Sequence, residues 1–306
     1  MLHDTALEKC EICPRRCGVN RLEGRAGYCR TGALPKVYSY APHHGEEPVL
    51  SGTRGSGTIF FSHCNMRCVY CQNYYFSQLD EGSEMSIDDL ASAMLYLQET
   101  GCHNINLVSP THNAVSIALA IRTAKDKGLK LPIVYNTGGY DLVDTLRLLD
   151  GIIDIYMPDM RYSSNDMALK YSDVPDYVGY NRSAVRQMRA QVGDLVIDKD
   201  GIARRGLIIR LLVLPDDISG SKDTLRFIAK EISRNTFLSI MSQYYPTFKA
   251  YSFSPISRAI MQDEYMEVVE EARLLGLDNG WVQEGPAPVD TKFAGTDIKP
   301  NRPVEK

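Results

Sequence analysis

The chain of 306 residues is 44% hydrophobic and 24% charged, which excludes a disordered, collagen-like or membrane-embedded protein and allows a sizeable core. Its 34 Lys and Arg against 38 Asp and Glu leave a formal net charge of −4, so no global field favours nucleic acid or an acidic membrane surface as a partner. The opening MLHDTALEKC has no apolar run of signal-peptide length, and the most apolar later segment, 207–214, is short and interrupted by Arg210; a cytoplasmic protein is expected.

Eight cysteines carry most of the information. A reducing cytosol keeps thiols free, and all but Cys102 fall into two tight groups, a pattern of metal binding rather than of disulfides. Residues 1–55 hold the first group, Cys10, Cys13, Cys17 and Cys29, with Pro14, Gly18 and Gly27 supplying turns. Four soft ligands so close in sequence suit Zn2+, stapling a module too small for its own core, or a further iron–sulfur cluster that relays electrons; the Cys-Pro and Cys-Gly contexts lean to zinc. Cys102 reads as a small buried hydrophobe. The linker His43-His44-Gly45-Glu46-Glu47-Pro48 offers proton- or substrate-handling groups if it arches over a site, and solvated loop charge if it does not. Gly52, Gly55 and Gly57 mark close backbone approach but lack the preceding strand and following helix of a phosphate-binding loop.

Short apolar runs at 58–61, 104–108, 132–136, 152–157, 207–213 and 237–242, and a further one at 281–284, alternate with helical stretches, the signature of βα units and a parallel sheet. Ser86 and Asp89 open a helix whose apolar face is Leu90, Met94 and Leu97 and which stops at Gly101; 113–127 and 263–275 end similarly, before Gly128 and Gly276, and 221–233 reads likewise. The stretch 162–205 breaks the rhythm with a helix near 181–192 and a hairpin-like turn at 198–201, and reads as an insertion over one mouth of the sheet. Its Arg182, Arg186, Arg189, Arg204 and Arg205 face either an anionic partner or solvent. The tail, 286–306, has no period and reads as coil.

Directly after the first of these runs comes His63-Cys64-Asn65-Met66-Arg67-Cys68-Val69-Tyr70-Cys71-Gln72-Asn73. A cubane cluster takes four thiolates, so three closely spaced ones ligate three irons and leave the fourth with an open site. Parallel-strand barrels carry their chemistry at the strand ends, where this loop sits. The alternative is a zinc site closed by a histidine such as His63.

The loop and its setting resemble the radical S-adenosylmethionine enzymes, and in detail the uncharacterised relatives of pyruvate formate-lyase activating enzymes. The likeness is carried by HHGEEP, GTRGSGTIFFSHCNMRCVYCQN, NINLVSPTH, YNTGGY, YMPDM and MSQYYP. It implies an α/β fold, a partial (β/α)6 TIM-type barrel over 56–285 behind the module of 1–55. It further implies a 4Fe-4S cluster on Cys64, Cys68 and Cys71, with S-adenosylmethionine chelated at the open iron and cleaved by one electron from a donor such as flavodoxin or ferredoxin. The resulting deoxyadenosyl radical would abstract hydrogen from a protein or peptide, favouring glycyl-radical activation; the alternatives are another peptide, a small molecule, or a non-catalytic zinc scaffold.

The resemblance also assigns candidate side chains. Tyr70 and Asn73 lie in the cluster loop. The family's Gly-Gly-Glu, which contacts the cofactor amine, is replaced here by Ser109-Pro110-Thr111-His112, so the amine falls to backbone carbonyls and the Ser109 or Thr111 hydroxyl, and His112 is either catalytic or a helix-start residue. Asn136 and Asp159 are placed near the ribose diol or sulfonium, and Arg161 near the carboxylate. Arg210, inside an apolar strand, must be paired and is assigned to cofactor or substrate. Gln243 is a hydrogen-bonding group at the rim with Tyr244 a substrate contact, and Glu46 and Glu47 are catalytic candidates.

Overall fold

The computed structural model describes residues 2–283. Helix α1 (Leu2–Glu8) leads into the four-cysteine loops, followed by β1 (Lys36–His43), α2 (Pro48–Ser51) and β2 (Ser56–Phe61). After the second cysteine group come α3 (Tyr74–Gln78), β3 (Ser83–Glu84) and α4 (Ile87–Glu99). The chain then repeats strand and helix: β4 (Ile105–Val108) and α5 (Ala114–Asp126), β5 (Ile133–Thr137) and α6 (Val143–Leu148), β6 (Ile155–Pro158) with α7 (Asn165–Ser172) and α8 (Tyr177–Val192). A hairpin of β7 (Val196–Ile197) and β8 (Ala203–Leu212) precedes α9 (Ser221–Phe227), β9 (Phe237–Met241), α10 (Gln262–Leu274) and β10 (Gly280–Val282).

Strands run in the order β10-β9-β8-β6-β5-β4-β2-β1-β3. Those from β10 to β2 are mutually parallel, and β1 and β3 extend the β2 edge antiparallel. This is a partial α/β barrel of the expected class, with all the parallel strands ending at one mouth. Each apolar run of the sequence became a strand with shifted ends. The run at 281–284 became β10, whose last predicted residue, like the tail at 286–306, lies outside the described residues.

Alternate strand residues divide between two cores. Outward residues such as Ile59, Leu107, Tyr135, Tyr156 and Leu207 pack under the helices with Leu90, Met94 and Leu97 of α4 and Ala114, Ile117, Ile121 and Ala124 of α5. Burying each large apolar side chain contributes roughly 1.5–3 kcal/mol. Inward residues Val134, Ile155, Met157, Ile208 and Phe237 meet Leu50 of α2, which floors the barrel. Asn104 Nδ2 fixes that floor by donating to the Leu50 carbonyl at 2.9 Å. The glycines after α2 have the expected role: Gly52 has φ 45°, and a Cβ there would lie 2.4 Å from Ile202 Cδ1.

Two sequence expectations are corrected. The linker at 43–48 is not free: His43 ends β1, which pairs with β2, and Pro48 begins α2, which enters the barrel. The 162–205 stretch is not wholly an insertion: α8 buries Ala184, Val185, Met188 and Val192 in the outer core as the crossover helix between β6 and β8. The turn at 198–201 does close a hairpin, with Asp198 and Ile202 hydrogen-bonded. Its arginines find partners within the chain: Arg186 with Glu231, Arg189 with Asp194, Arg204 with Asp198, Arg205 with the Gln191 carbonyl, and Arg182 over the Phe227 ring. Among the described residues no helix is long and apolar enough to cross a membrane. Cys102 is buried.

Candidate active site

The loop leaving β2 carries Cys64, Cys68 and Cys71, all free thiols. Burial pushes Cys64 up to about 12 and Cys71 up to about 11, each raised further by Cys68, while the Arg161 guanidinium pulls both down. Thiols that feel one another and a common cation face a shared space. Donors already point at the sulfurs: the Met66 N–H at 3.4 Å from Cys64 Sγ, Ser77 Oγ 3.2 Å from Cys71 Sγ, and Ser172 Oγ 3.0 Å from Cys68 Sγ. Ser172 belongs to a chain of hydroxyls, Tyr70 to Tyr162 at 2.7 Å and Tyr162 to Ser172 at 2.7 Å. With Cys68 as a thiolate, the Ser172 proton is committed to sulfur, so Tyr162 donates to Ser172 and Tyr70 to Tyr162.

His63 does not complete a zinc tetrahedron here. Its Nδ1 lies 3.2 Å from Thr31 Oγ1 and its Nε2 2.5 Å from Asp80 Oδ1, so both ring nitrogens are engaged away from the cysteines. Among the described residues no three His, Cys, Asp or Glu side chains form a ready cage for one metal ion. Thiolates on separate irons of a cubane stand further apart than thiolates on a single ion.

Beside the cysteines lies a charged layer built from the ends of β5, β6 and β8. Arg210 donates from Nε to Asp159 Oδ1 at 2.8 Å and from Nη2 to Asn136 Oδ1 at 2.7 Å. Arg161 donates to the other Asp159 oxygen, while its buried Nε has no partner. Glu46 reaches to 4.0 Å of Arg210 Nη1, and His43 Nδ1 lies 3.5 Å from Glu46. Glu47, 3% exposed, is raised by burial against the pull of Arg210. The turn after β5 is made for close approach: a Cβ on Gly138 would lie 2.7 Å from Met66 Sδ, and one on Gly139, at φ 76°, would lie 2.2 Å from Asn181 Nδ2.

Of the residues singled out in the sequence, the structure brings together Asn136, Asp159, Arg161, Arg210, Glu46 and Glu47, with Tyr70 on the sulfur side. Asn73 precedes α3, and its backbone N–H donates to Cys71. Gln243 sits at the rim, its carbonyl accepting from Gln72 Nε2 at 3.2 Å, and Tyr244 packs edge-on to Tyr70. Ser109 directly follows β4 at φ 58°, a conformation that turns its backbone. Thr111 and His112 stand apart. Thr111 donates to buried Asp141 at 2.8 Å; Asp141 also accepts from Thr137 and Tyr135. His112 is fully buried and held neutral, its pKa pushed down to about 3 by desolvation, with Nε2 on the Ser62 carbonyl. It is a joint under the β2 end rather than a group facing the charged layer.

The first cysteine group is bolted to this loop. Arg15 Nε donates to the Asn65 carbonyl at 3.0 Å, Arg67 to the Tyr28 carbonyl at 3.1 Å, and Arg21 to the His112 carbonyl at 2.8 Å. Within the module Cys13, pushed up to about 12 by burial, also feels Cys29, Cys10 and Cys17, so the four sulfurs share one neighbourhood. The Tyr28 N–H points at Cys17 Sγ and Arg21 at Cys29 Sγ. Sequence reasoning missed Ser172, Tyr162, Arg15 and Arg21; for Ser172 and Arg15 no local pattern signals the contact, because partners lie more than 50 residues away or in loops.

These features define a class: a partial barrel with a three-cysteine loop at its first strand end and cationic groups beside it. Residues 58–179 match the family described as the Radical SAM superfamily. An uncharacterized protein of Methanocaldococcus jannaschii is 28% identical over 281 residues, covering 89% of this chain and 76% of that protein. Solved structures share the fold. A radical SAM methyltransferase from Sphaerobacter thermophilus aligns at TM-score 0.50 and 14% identity over 74% of this chain and 67% of its own. Methylornithine synthase aligns at TM-score 0.50 and 15% identity over 80% and 82%. The FeFe-hydrogenase maturase HydG of Carboxydothermus hydrogenoformans aligns at 0.50 and 13% over 78% of this chain and 55% of its own. The solved structures share the fold, and the family whose model matches residues 58–179 is one that implies a 4Fe-4S cluster and S-adenosylmethionine.

The residues present fit those groups. Three free, mutually sensing thiols with hydrogen-bond donors already aimed at them suit a cluster, and the unpartnered Arg161 Nε beside them suits a carboxylate.

Proposed function

We propose that this protein is a radical SAM enzyme that abstracts hydrogen from a protein or peptide substrate, with activation of a glycyl-radical enzyme as the favoured case. The observation that carries the enzymatic reading is the cysteine trio at the β2 end facing Arg161, itself paired to Asp159, which Arg210 shares. A cluster bound there supplies one electron to S-adenosylmethionine, releasing a carbon radical able to take a hydrogen atom from substrate.

The chain's own residues do the rest. Cys64, Cys68 and Cys71 hold the three-ligand centre. Arg161 receives the cofactor carboxylate, and the turned backbone at Ser109 offers carbonyl oxygen to the amine where the family uses a glutamate. Asp159 and Asn136, fixed by Arg210, present oxygens to the ribose. The Tyr74, Tyr75 and Phe248 rings, stacked at 4.1 and 4.7 Å just beyond the cluster loop, form an aromatic rim against which a peptide segment would pack. The four-cysteine module, by this reading, holds a structural zinc that fixes the outer side of the loop.

A small-molecule substrate is favoured by one observation, the polar interior closed beneath by α2. Anaerobic reconstitution with iron and sulfide followed by dithionite and S-adenosylmethionine tests the activity. Deoxyadenosine is expected from the wild type and none from Cys64→Ala; zinc binding without deoxyadenosine would make the protein a scaffold. Deuterium carried into deoxyadenosine from a labelled peptide, but not from solvent, would establish the substrate class.

A further inference from the structure

Above its apolar floor the barrel interior is lined by polar side chains that the chain itself does not fully satisfy. Ser39 on β1, Asn106 on β4 and Ser239 on β9 occupy inward registers: Ser39 is paired with Phe60, Asn106 with Val134, and Ser239 with Arg210. Asn106 is 0% exposed, yet neither its Oδ1 nor its Nδ2 has a partner; Glu47 Oε2 and Ser39 Oγ are likewise buried and unpartnered. A buried polar atom left unpaired costs about 1–3 kcal/mol, more when charged, so four such atoms in one lumen are a large investment unless something fills it.

Charge points to what does. Glu46, Glu47 and Asp159 all lie against Arg210, and Arg161 adds a second base on the Asp159 side. The bases are largely engaged: Arg161 with Asp159, and Arg210 with Asp159 and Asn136, leaving Glu46 at 4.0 Å and Glu47 with one bare oxygen. The N–H groups of an ammonium entering the lumen would satisfy the bare Glu47 oxygen and the loosely held Glu46 carboxylate. The amide of Asn106, able to donate and accept, would bind a neighbouring polar group of the same ligand.

We infer that the lumen lined by Ser39, His43, Glu46, Glu47, Asn106 and Ser239 is a binding pocket for the leading group of the substrate, and that this group is an alkylammonium. The inference rests on the strand mouth being an active site. Because its test reads binding, it fails separately from the radical reading: amine binding without deoxyadenosine would remove only the chemistry, and deoxyadenosine without amine binding only the pocket.

The experiment uses the full chain, reconstituted anaerobically, titrated by calorimetry with cadaverine and with pentanediol as the uncharged match. Saturable binding of cadaverine and none of the diol is expected, with affinity at least tenfold weaker in Glu46→Gln and in Glu47→Gln. Thermal midpoints without ligand supply the second reading. A carboxylate kept for a ligand is a liability in the free protein, so Glu47→Gln should melt at or above the wild-type temperature. Equal binding of amine and diol, undiminished binding in both glutamine variants, or a lowered midpoint in Glu47→Gln, which would mark a purely structural partner of Arg210, would each overturn the assignment.

Discussion

Ser172 shows how one side chain can set the behaviour of a centre it does not itself hold, through its contact with Cys68. Ser172 Oγ reaches it at 3.0 Å at the end of the Tyr70 and Tyr162 relay. A donor to a thiolate stabilises the more negative, reduced cluster more than the oxidised one, so removing it lowers the potential. For a differential of about 1 kcal/mol the drop is roughly 40 mV for one electron. Ser172→Ala should therefore show a lower midpoint in an EPR-monitored redox titration, and an unchanged potential would mean the hydroxyl does not reach the bound sulfur. Arg210 was legible at this scale, since a guanidinium in an apolar strand must be paired. Glu46 and Glu47 were not placeable, because a charged loop looks the same whether it lies in solvent or enters a barrel. The Asn104 and Asn106 alternation was a signal that could have been read: amides at inward strand positions announce a polar lumen.

Elements formed where local chemistry agreed with burial. Ser86 caps α4, its Oγ accepting the Asp89 N–H at 3.1 Å, as the sequence motif predicts. Helix α10 depends on a device the sequence does not display: Glu264 accepts from the Met261 and Asp216 N–H groups and from Arg258. The Arg258 hydrogen bonds hold its carboxyl down at about 2, against an ordinary 4.5. With the folded pKa below the unfolded one, the stabilisation is full above pH 4.5 and fades as pH falls toward 2. Glu264 faces solvent in part, so screening limits its value to about 1 kcal/mol. Glu264→Gln should lower the melting midpoint at pH 7 by a few degrees at most, and the gap between wild type and variant should shrink as pH falls from 4.5 toward 2; a constant gap across that range would contradict the linkage. Strand β1 escaped notice because its sequence, KVYSYAPH, mixes polar residues and a proline that suit an edge-side antiparallel strand. Helix α8 was legible near 181–192, but its crossover role escaped because five arginines in and after it drew attention to its outer face, while its inward line of Ala184, Val185, Met188 and Val192 is modest in size.

At the scale of the molecule, the N-terminal four-cysteine module is docked on the barrel through Arg15, Arg21 and Arg67. The grouping of the module's cysteines was legible in the sequence, but its docking was not, because its joints pair residues far apart in the chain, among them Arg15 with the Asn65 carbonyl, Tyr28 with Asp173 and Thr31 with His63. The structural zinc proposed for the module predicts crossed losses: Cys13→Ala should lose zinc, keep iron and melt several degrees lower, whereas Cys64→Ala should lose iron and keep zinc. Metal analysis of both variants checks this, and loss of both metals in both would show a single shared centre.

The proposed chemistry requires an open coordination position beside Arg161. The direct measurement is the EPR spectrum of the dithionite-reduced, reconstituted protein before and after S-adenosylmethionine. A 4Fe-4S signal whose g-values move on addition of the cofactor, and move far less in Arg161→Ala, is the predicted result. A signal indifferent to the cofactor, or no iron–sulfur signal at all, would contradict it.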